Sequence, residues 1–252
     1  MILRSYLVED TGCVSYLFGC PTKRKFGVVD PHADLIEEYL SSAERRGADI
    51  TQVFDTHVHA DHPSGAAELA ERAGAALRLP EGAPVEFEFE PLRDGEVVQL
   101  GNTRAEVIAT PGHAWAHSSL LVTDTVRGEQ PWLVFTGDTL FVGAVGRPDL
   151  HGEERELAEE LGRTLRERLM TLPDWIEIYP GHVGGSACGA GISSNPSSTI
   201  GFERRNNALA TGGPSDFVDR VLAELEPPPS EFERIYRRNQ LGGSRAGVTE
   251  RA

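Results

Sequence analysis

The sequence predicts a mixed α/β fold for this chain of 252 residues. Short apolar runs with strand-like composition recur along the chain, and stretches with helical spacing separate them. In addition, three of the strand-like runs end on a glycine that is followed at once by a histidine or an aspartate. Glycine lets the backbone turn tightly, so these runs are expected to present polar side chains at their ends.

The first half of the chain predicts a β-meander followed by a helix. Turn residues at 10–12 and 23–25 separate the first strands, and Gly47 ends the helix. The predicted strands are Ile2 to Val8, Cys13 to Phe18 and Phe26 to Val29, and the helix is Asp34 to Arg46.

The rest of the chain predicts further strands, then mainly helices. A long segment rich in Gly, Ser and Asn, residues 183–201, is expected to be functional or mobile and to form one wall of a pocket. Strands are predicted at Ala75 to Leu79, Val85 to Phe89, Val97 to Leu100, Arg104 to Thr110, Ser119 to Thr123, Pro131 to Phe135 and Trp175 to Tyr179, and helices at Ser64 to Gly74, Glu153 to Met170, Phe202 to Ala210 and Asp216 to Leu225.

These elements predict one domain over residues 1–241. Its core is expected at about 1–210, with a C-terminal extension at 211–241 that packs against it. Residues 242–252 are expected to be disordered.

Composition excludes several classes of function. The formal net charge is −15, and Lys23 and Lys25 are the only lysines among 24 basic residues, so nucleic acid and anionic membranes are not expected partners. No apolar run approaches the roughly 20 residues of a membrane helix, and the N-terminus lacks the apolar core of a signal peptide. A cytoplasmic location is therefore expected. The three cysteines, Cys13, Cys20 and Cys188, argue against a disulfide framework.

A dense cluster of metal-type ligands lies at residues 57–62. It contains His57, His59, Asp61 and His62, placed where a predicted strand turns into a helix. Each histidine alone is most simply an ordinary structural or surface residue. Together they predict a metal site, because imidazole and carboxylate are the ligands that zinc and iron prefer.

The spacing H-x-H-x-D-H at 57–62 resembles the signature of the metallo-β-lactamase superfamily. Later ligands should then follow strands, and His113, Asp138 and His182 do so, each directly after a glycine. The resemblance covers about residues 1–210. It implies an αβ/βα sandwich of two mixed β-sheets flanked by helices, with the site at the sheet edge.

Within the superfamily, the downstream motifs resemble the persulfide dioxygenases. They are the segments 138–143, 146–150, 179–182, 185–189 and 196–206. This resemblance implies one Fe(II) per chain, held by His57, His113 and Asp138, and oxidation of a low-molecular-weight persulfide, such as glutathione persulfide, by O2 to sulfite and thiol. The remaining catalytic groups would be His59, Asp61, His62 and His182, which orient the ligands or a bound water.

The same resemblance implies protein partners. The branch it points to is bacterial and often carries a fused rhodanese domain, and the segment 239–242 resembles the linker that precedes rhodanese. Since the sequence stops there, a separate rhodanese or other sulfur-transfer protein is the expected partner, and a homodimer is the expected assembly.

Two other functions use the same residues. In a dinuclear zinc hydrolase of the glyoxalase II type, His57, His59 and His113 would bind one zinc, Asp61, His62 and His182 the other, and Asp138 would bridge them. In a non-catalytic, sulfide-responsive module the metal ligands would have no catalytic use. We favour one iron because the downstream motifs match the dioxygenases and no long helical glutathione-binding domain is recognisable.

Residues that bind the substrate are predicted less directly. Arg147 either pairs with a carboxylate of the substrate or fixes a turn by pairing with Asp149. Cys188 either accepts sulfur or is an ordinary buried thiol, and Tyr179 is expected to line the pocket. Structural roles are expected for the remaining histidines His32, His117 and His151.

Overall fold

Two six-stranded β-sheets lie at the centre of the computed structural model, which describes residues 1–150, 152–211 and 214–243. Helices cover the outer face of each sheet. The αβ/βα sandwich expected from the resemblance is confirmed.

The first sheet runs in sequence order from β1 to β6. Its first three strands form the predicted antiparallel meander, and β4, β5 and β6 then add in parallel. The strands are β1 (Ile2–Val8), β2 (Cys13–Cys20), β3 (Lys25–Val29), β4 (Asp49–Phe54), β5 (Ala76–Pro80) and β6 (Glu90–Leu92).

The second sheet has the spatial order β12-β11-β10-β9-β8-β7. All its neighbours are antiparallel except β10 and β11, which α3 connects in parallel. The strands are β7 (Val97–Leu100), β8 (Thr103–Ala109), β9 (Ser118–Asp124), β10 (Leu133–Gly137), β11 (Glu177–Pro180) and β12 (Ser198–Thr199).

The helices follow the predicted positions closely. Helix α1 is preceded by a 3-10 turn at Ala33–Leu35, and α3 continues into a π-helical segment at Leu165–Leu169. They are α1 (Ile36–Glu44), α2 (Ala66–Ala73), α3 (Glu154–Thr164), α4 (Ile200–Asn206), α5 (Ala208–Thr211), α6 (Pro214–Ala223) and α7 (Phe232–Gln240). Among the described residues, no helix is both long and apolar enough to cross a bilayer.

Strand β10 shows how the layers are built. Successive side chains of a strand point to opposite faces, so Leu133 and Phe135 enter the core between the sheets, whereas Val134 enters the core under α3 and α6. Both faces are covered, which explains why the run reads as continuously apolar.

The strand predicted at Val85 to Phe89 is wrong. These residues are irregular, and only Glu90–Leu92 pairs with β5. The alternation of apolar and acidic residues imitates a strand, but Phe87 and Phe89 pack on a small core with Val58 and Leu79. The amide of Glu86 donates to the carbonyl of Gln240, at the end of α7, instead of to a neighbouring strand.

The C-terminal prediction is tested only in part. Gly242 and Gly243 are described, both with positive φ. The predicted disorder of the remaining tail concerns residues 244–252, which lie outside the described residues.

We expect Phe135→Ala to lower the free energy of unfolding by about 3–5 kcal/mol, because it deletes a ring that joins the two sheets. The Phe135 ring centroid lies 4.9 Å from that of Tyr16 and 5.0 Å from that of Phe18, both on the opposite sheet. Urea denaturation measures the change. Val126→Ala, at a residue that is 70% exposed, is the control and should stay within about 0.5 kcal/mol. Equal effects of the two substitutions would contradict the assigned core.

Candidate metal centre

The carboxyl ends of β4, β8, β10 and β11 meet at one edge of the sandwich and carry the metal-type residues. Two glycines allow this convergence. Gly137 has a φ of +49°, and a Cβ there would lie 2.6 Å from Thr56 Oγ1. A Cβ on Gly181 would lie 2.6 Å from the Asp138 carboxylate oxygen Oδ1. Any other residue at either position would push the ligand-bearing turns apart.

The structure brings His57, His113 and Asp138 together as one group. Asp138 Oδ2 lies 4.0 Å from His57 Nε2 and 3.7 Å from His113 Nε2. All ligand atoms of this group lie within 4.8 Å of one another, and all three residues are buried.

Hydrogen bonds fix the tautomers of both histidines. His113 Nδ1 lies 2.7 Å from the carbonyl oxygen of Arg147, which can only accept, so Nδ1 carries the proton. Thr56 Oγ1 donates its hydroxyl proton to Asp30 and therefore accepts from His57 Nδ1, 3.0 Å away. In both rings the lone pair is thus on Nε2, the atom that faces Asp138.

The protonation states suit a cation. Burial, together with the neighbouring imidazoles, holds the pKa of His57 well below its usual value, and burial lowers the pKa of His113. Burial alone would raise the pKa of Asp138, but the charge and hydrogen bond of His182 lower it. Within the described residues, His57 Nε2 and Asp138 Oδ2 have no hydrogen-bond partner. Two neutral imidazoles and an ionised carboxylate with unsatisfied atoms fit a first-row metal ion such as iron.

A second group, Asp61, His62, His182 and Cys13, is closed by its own hydrogen bonds. Asp61 Oδ2 lies 2.8 Å from His182 Nε2, 2.9 Å from His62 Nδ1 and 3.1 Å from Cys13 Sγ. Burial would raise the pKa of Asp61, but the charges of the two histidines hold it well below its usual value. The group therefore forms a buried ion-pair network in which only His62 Nε2 has no partner among the described residues.

His59 belongs to a third group, with Asp30 and Asp55. Its Nε2 lies 3.1 Å from Asp30 Oδ1 and 3.7 Å from Asp55 Oδ1. Its Nδ1 has no partner among the described residues. Burial raises the pKa of Asp55 to about 6. The two aspartates thus fix the orientation of the His59 ring.

His117 has a structural role, as predicted, and it is buried. Its Nε2 accepts a hydrogen bond from the backbone N–H of Asp138 at 3.1 Å, and its ring stacks on His57 at 5.1 Å. Burial lowers the pKa of His117 to about 3, so the ring stays neutral and accepts this bond. His117 therefore positions two of the three candidate ligands at once.

A family model described as the metallo-beta-lactamase superfamily matches residues 10–182. The chain belongs to this superfamily. Over 171 residues it is 34% identical to a hydroxyacylglutathione hydrolase of Polaromonas sp., a match that covers 67% of this chain and 61% of that protein. The chain thus spans about three fifths of the length of that relative.

Another relative matches over more of its length. The chain is 27% identical over 237 residues to the mitochondrial persulfide dioxygenase ETHE1 of Bos taurus, covering 92% of this chain and 85% of that protein. The crystal structure of ETHE1 from Myxococcus xanthus superposes with a TM-score of 0.83 and 29% identity, covering 95% of this chain and 98% of that one. The relatives of this superfamily member are thus enzymes named for two different activities.

Arg147 is held inside the protein. Its guanidinium makes a two-point pair with Asp149 at 2.7 and 2.8 Å and also donates to the carbonyls of Ala187 and Glu226. This geometry agrees with the second interpretation, in which Arg147 fixes a turn. It leaves little of the guanidinium to bind a substrate carboxylate.

Tyr179 and Cys188 have different surroundings. The Tyr179 ring packs between the sheets against Tyr16, and its hydroxyl donates to Glu177, so its contacts are those of a core residue. Cys188 is buried, its thiol lies within 4.8 Å of ligand atoms of Asp138 and His182, and burial raises its pKa strongly. Of the predicted substrate residues, only Cys188 adjoins the candidate site.

The remaining predicted histidines are accounted for separately. His32 is buried and its ring stacks on that of His62 at 5.1 Å, and its Nδ1 accepts from the amide of Asp34. His32 is therefore structural, as predicted. His151 lies outside the described residues.

Asn239 is the residue at this site that sequence reasoning did not select. Its amide nitrogen donates to the carbonyls of His59 and His62 at 2.9 and 2.8 Å, and its oxygen accepts from the amide of Ser64 at 3.0 Å. It lies on α7, outside the segment that the family model matches. Helix α7 thus holds the turn that carries His59, Asp61 and His62.

We expect Asn239→Ala to lower metal affinity about 10–100-fold, because the turn loses all three of these hydrogen bonds. Competition against a chelator measures the affinity. Asn239→Asp keeps the acceptor for Ser64 but sets an oxygen against two carbonyls, so its loss should be at least as large. Arg237→Ala, on the exposed face of the same helix, is the matched control. Equal affinities for the alanine variants would show that α7 does not hold the turn.

Proposed function

We propose that this chain is a mononuclear iron persulfide dioxygenase that oxidises a low-molecular-weight persulfide, such as glutathione persulfide, with O2 to sulfite and thiol. The observation that carries the proposal is the contrast between the two halves of the site. His57 Nε2 and Asp138 Oδ2 are buried, ligand-ready and unsatisfied within the described residues, whereas Asp61 and His182 already satisfy each other at 2.8 Å. One half is arranged for an ion, and the other half is arranged to support it.

The extent of the similarities supports the same activity. The match to the persulfide dioxygenase covers 85% of that relative, and the match to the hydroxyacylglutathione hydrolase covers 61%. The bacterial ETHE1 structure is covered almost completely, at 98%. The dioxygenase likeness therefore includes the C-terminal extension, whose α7 contacts the site.

Under this proposal the iron would be held by His57, His113 and Asp138. Iron held by two histidines and one carboxylate supplies adjacent open positions at which a persulfide sulfur and O2 react. Asp30, through Thr56, and the Arg147 carbonyl keep each Nε2 lone pair aimed at the ion. His182 Nδ1 bonds to Asp138 Oδ1 at 2.9 Å and so leaves Oδ2 for the ion.

The supporting half holds and moves protons. Oxidation of a persulfide to sulfite and thiol consumes water and releases protons, so groups that accept protons are needed beside the reacting sulfur. Asp61, His62 and His182 form a connected hydrogen-bond network at this position. Burial of the ligands also excludes bulk water from the reaction.

A dinuclear zinc thioester hydrolase is the second candidate, and two observations favour it. His59 Nδ1 and His62 Nε2 are also buried without a partner among the described residues, as the additional ligands of a two-metal site would be. The hydroxyacylglutathione hydrolase relative has the higher identity, 34% against 27%. Two zinc ions would activate a hydroxide but supply no redox chemistry.

We expect about one iron per chain after anaerobic expression, and expect Asp138→Ala to abolish iron binding while His62→Ala retains much of it. The reason is that only Asp138 contributes an unsatisfied carboxylate oxygen to the iron group, whereas loss of an outer partner costs about 10–100-fold in affinity. Elemental analysis of the three proteins decides. Two zinc ions with no iron, or complete metal loss in His62→Ala, would favour the dinuclear site.

We expect the iron-loaded protein to consume O2 and form sulfite when given glutathione persulfide, and not to hydrolyse S-lactoylglutathione. An oxygen electrode, sulfite detection and a thioester assay on the same preparation measure all three, with Asp138→Ala as the inactive control. Thioester hydrolysis without oxygen uptake would contradict the proposal.

A further inference from the structure

A cavity of about 210 Å³ lies between the two turns that carry His57 and His113. Val58, which directly follows His57, lines one side, and Ala114, which directly follows His113, lines the other. The complete lining is Val58, Gly82, Pro84, Ala114, Trp115, Ala116 and Tyr236. We call it the carrier cavity.

The chemistry of the carrier cavity is uncharged. Of the described side chains that line it, none is charged, and its largest surfaces are the rings of Trp115 and Tyr236. Trp115 is 51% exposed, and its indole N–H already donates to Glu153. Tyr236 comes from α7, which also supplies Asn239, so the C-terminal extension closes one wall.

A larger cavity of about 360 Å³ beside Arg147 is less suitable for substrate entry. Arg147 is already bound to Asp149 and two carbonyls, and the other charged residues in that lining are Glu224 and Glu226. Ala187 and Gly189 face this cavity, whereas the Cys188 thiol between them belongs to the group with Asp138 and His182. The loop thus separates this cavity from the candidate ligands.

We propose that the carrier cavity binds the organic part of the persulfide and selects carrier thiols that have no carboxylate close to the sulfur. This inference rests on the proposed function. A carboxylate placed against this lining would lose its hydration without gaining a charged or donor partner, which is unfavourable. The chain's net charge of −15 opposes an anion further. Rings and small apolar side chains instead favour a neutral carrier of modest size.

The matched probes are N-acetylcysteine and N-acetylcysteine amide, which differ only in that the carboxylate of the first is an amide in the second. We expect the amide to bind the iron-loaded full chain about tenfold more tightly in anaerobic calorimetric titrations at 0.15 M salt. Trp115→Ala and Tyr236→Ala should weaken binding of the amide and reduce this preference. Trp175→Ala is the matched control, because Trp175 is also exposed but precedes β11, at the end opposite the candidate ligands.

Equal binding of acid and amide, or a preference that neither variant changes, would overturn the inference. Oxygen uptake with the two persulfides separates this result from the fate of the proposed function. Uptake with equal kcat/KM for both would leave the dioxygenase standing and exclude the selection. A preference for the amide that depends on Trp115, without oxygen uptake from any persulfide, would leave the cavity standing and exclude the dioxygenase.

Discussion

Burial of the Asp138 carboxylate is the constraint on which the rest of the site depends. An ionised carboxylate with no exposed surface is unstable unless charges and donors surround it. Here the backbone N–H of Asp138 donates to His117, Oδ1 is bonded to His182, and Oδ2 faces the Nε2 atoms of His57 and His113. A cation at Oδ2 would complete this environment. The protein has therefore placed a cost in its core that a metal ion removes.

The C-terminal extension is part of the site rather than an appendage. Asn239 holds the turn that carries three histidine-cluster residues, Tyr236 walls the carrier cavity, and Phe232 packs with Cys188 and Phe141. All three side chains project from one short helix at spacings of four and three residues, which places them on one face. Because the family model ends at residue 182, features that distinguish members of the superfamily are concentrated in this helix.

The candidate ligands could be predicted from the sequence because their signal is local. His57 to His62 are neighbours in the chain, and His113, Asp138 and His182 each follow a strand and a glycine. Asp30 follows β3 directly and gives the same signal without the glycine. Asn239 gave none, since its partners at His59 and His62 are about 180 residues away in the chain. Arg147 remained ambiguous for a similar reason, because two of its acceptors belong to distant segments. The false strand at 85–89 likewise reflects tertiary packing that overrides a local pattern.

The same seven ligand-type residues are compatible with one ion or two, so the proton positions decide between the two functions. In the iron group, carbonyl and hydroxyl acceptors hold protons on Nδ1 of His57 and His113, and the lone pairs are already directed inward. In the second group, Asp61 and Asp138 raise the pKa of His182, although burial opposes this, so its ring retains protons on both nitrogens. A second metal would have to displace the proton from His182 Nε2 and break its bond to Asp61. The residues of this chain therefore favour loading of the first group before the second, and a site that stops at one ion keeps a proton network beside the ion.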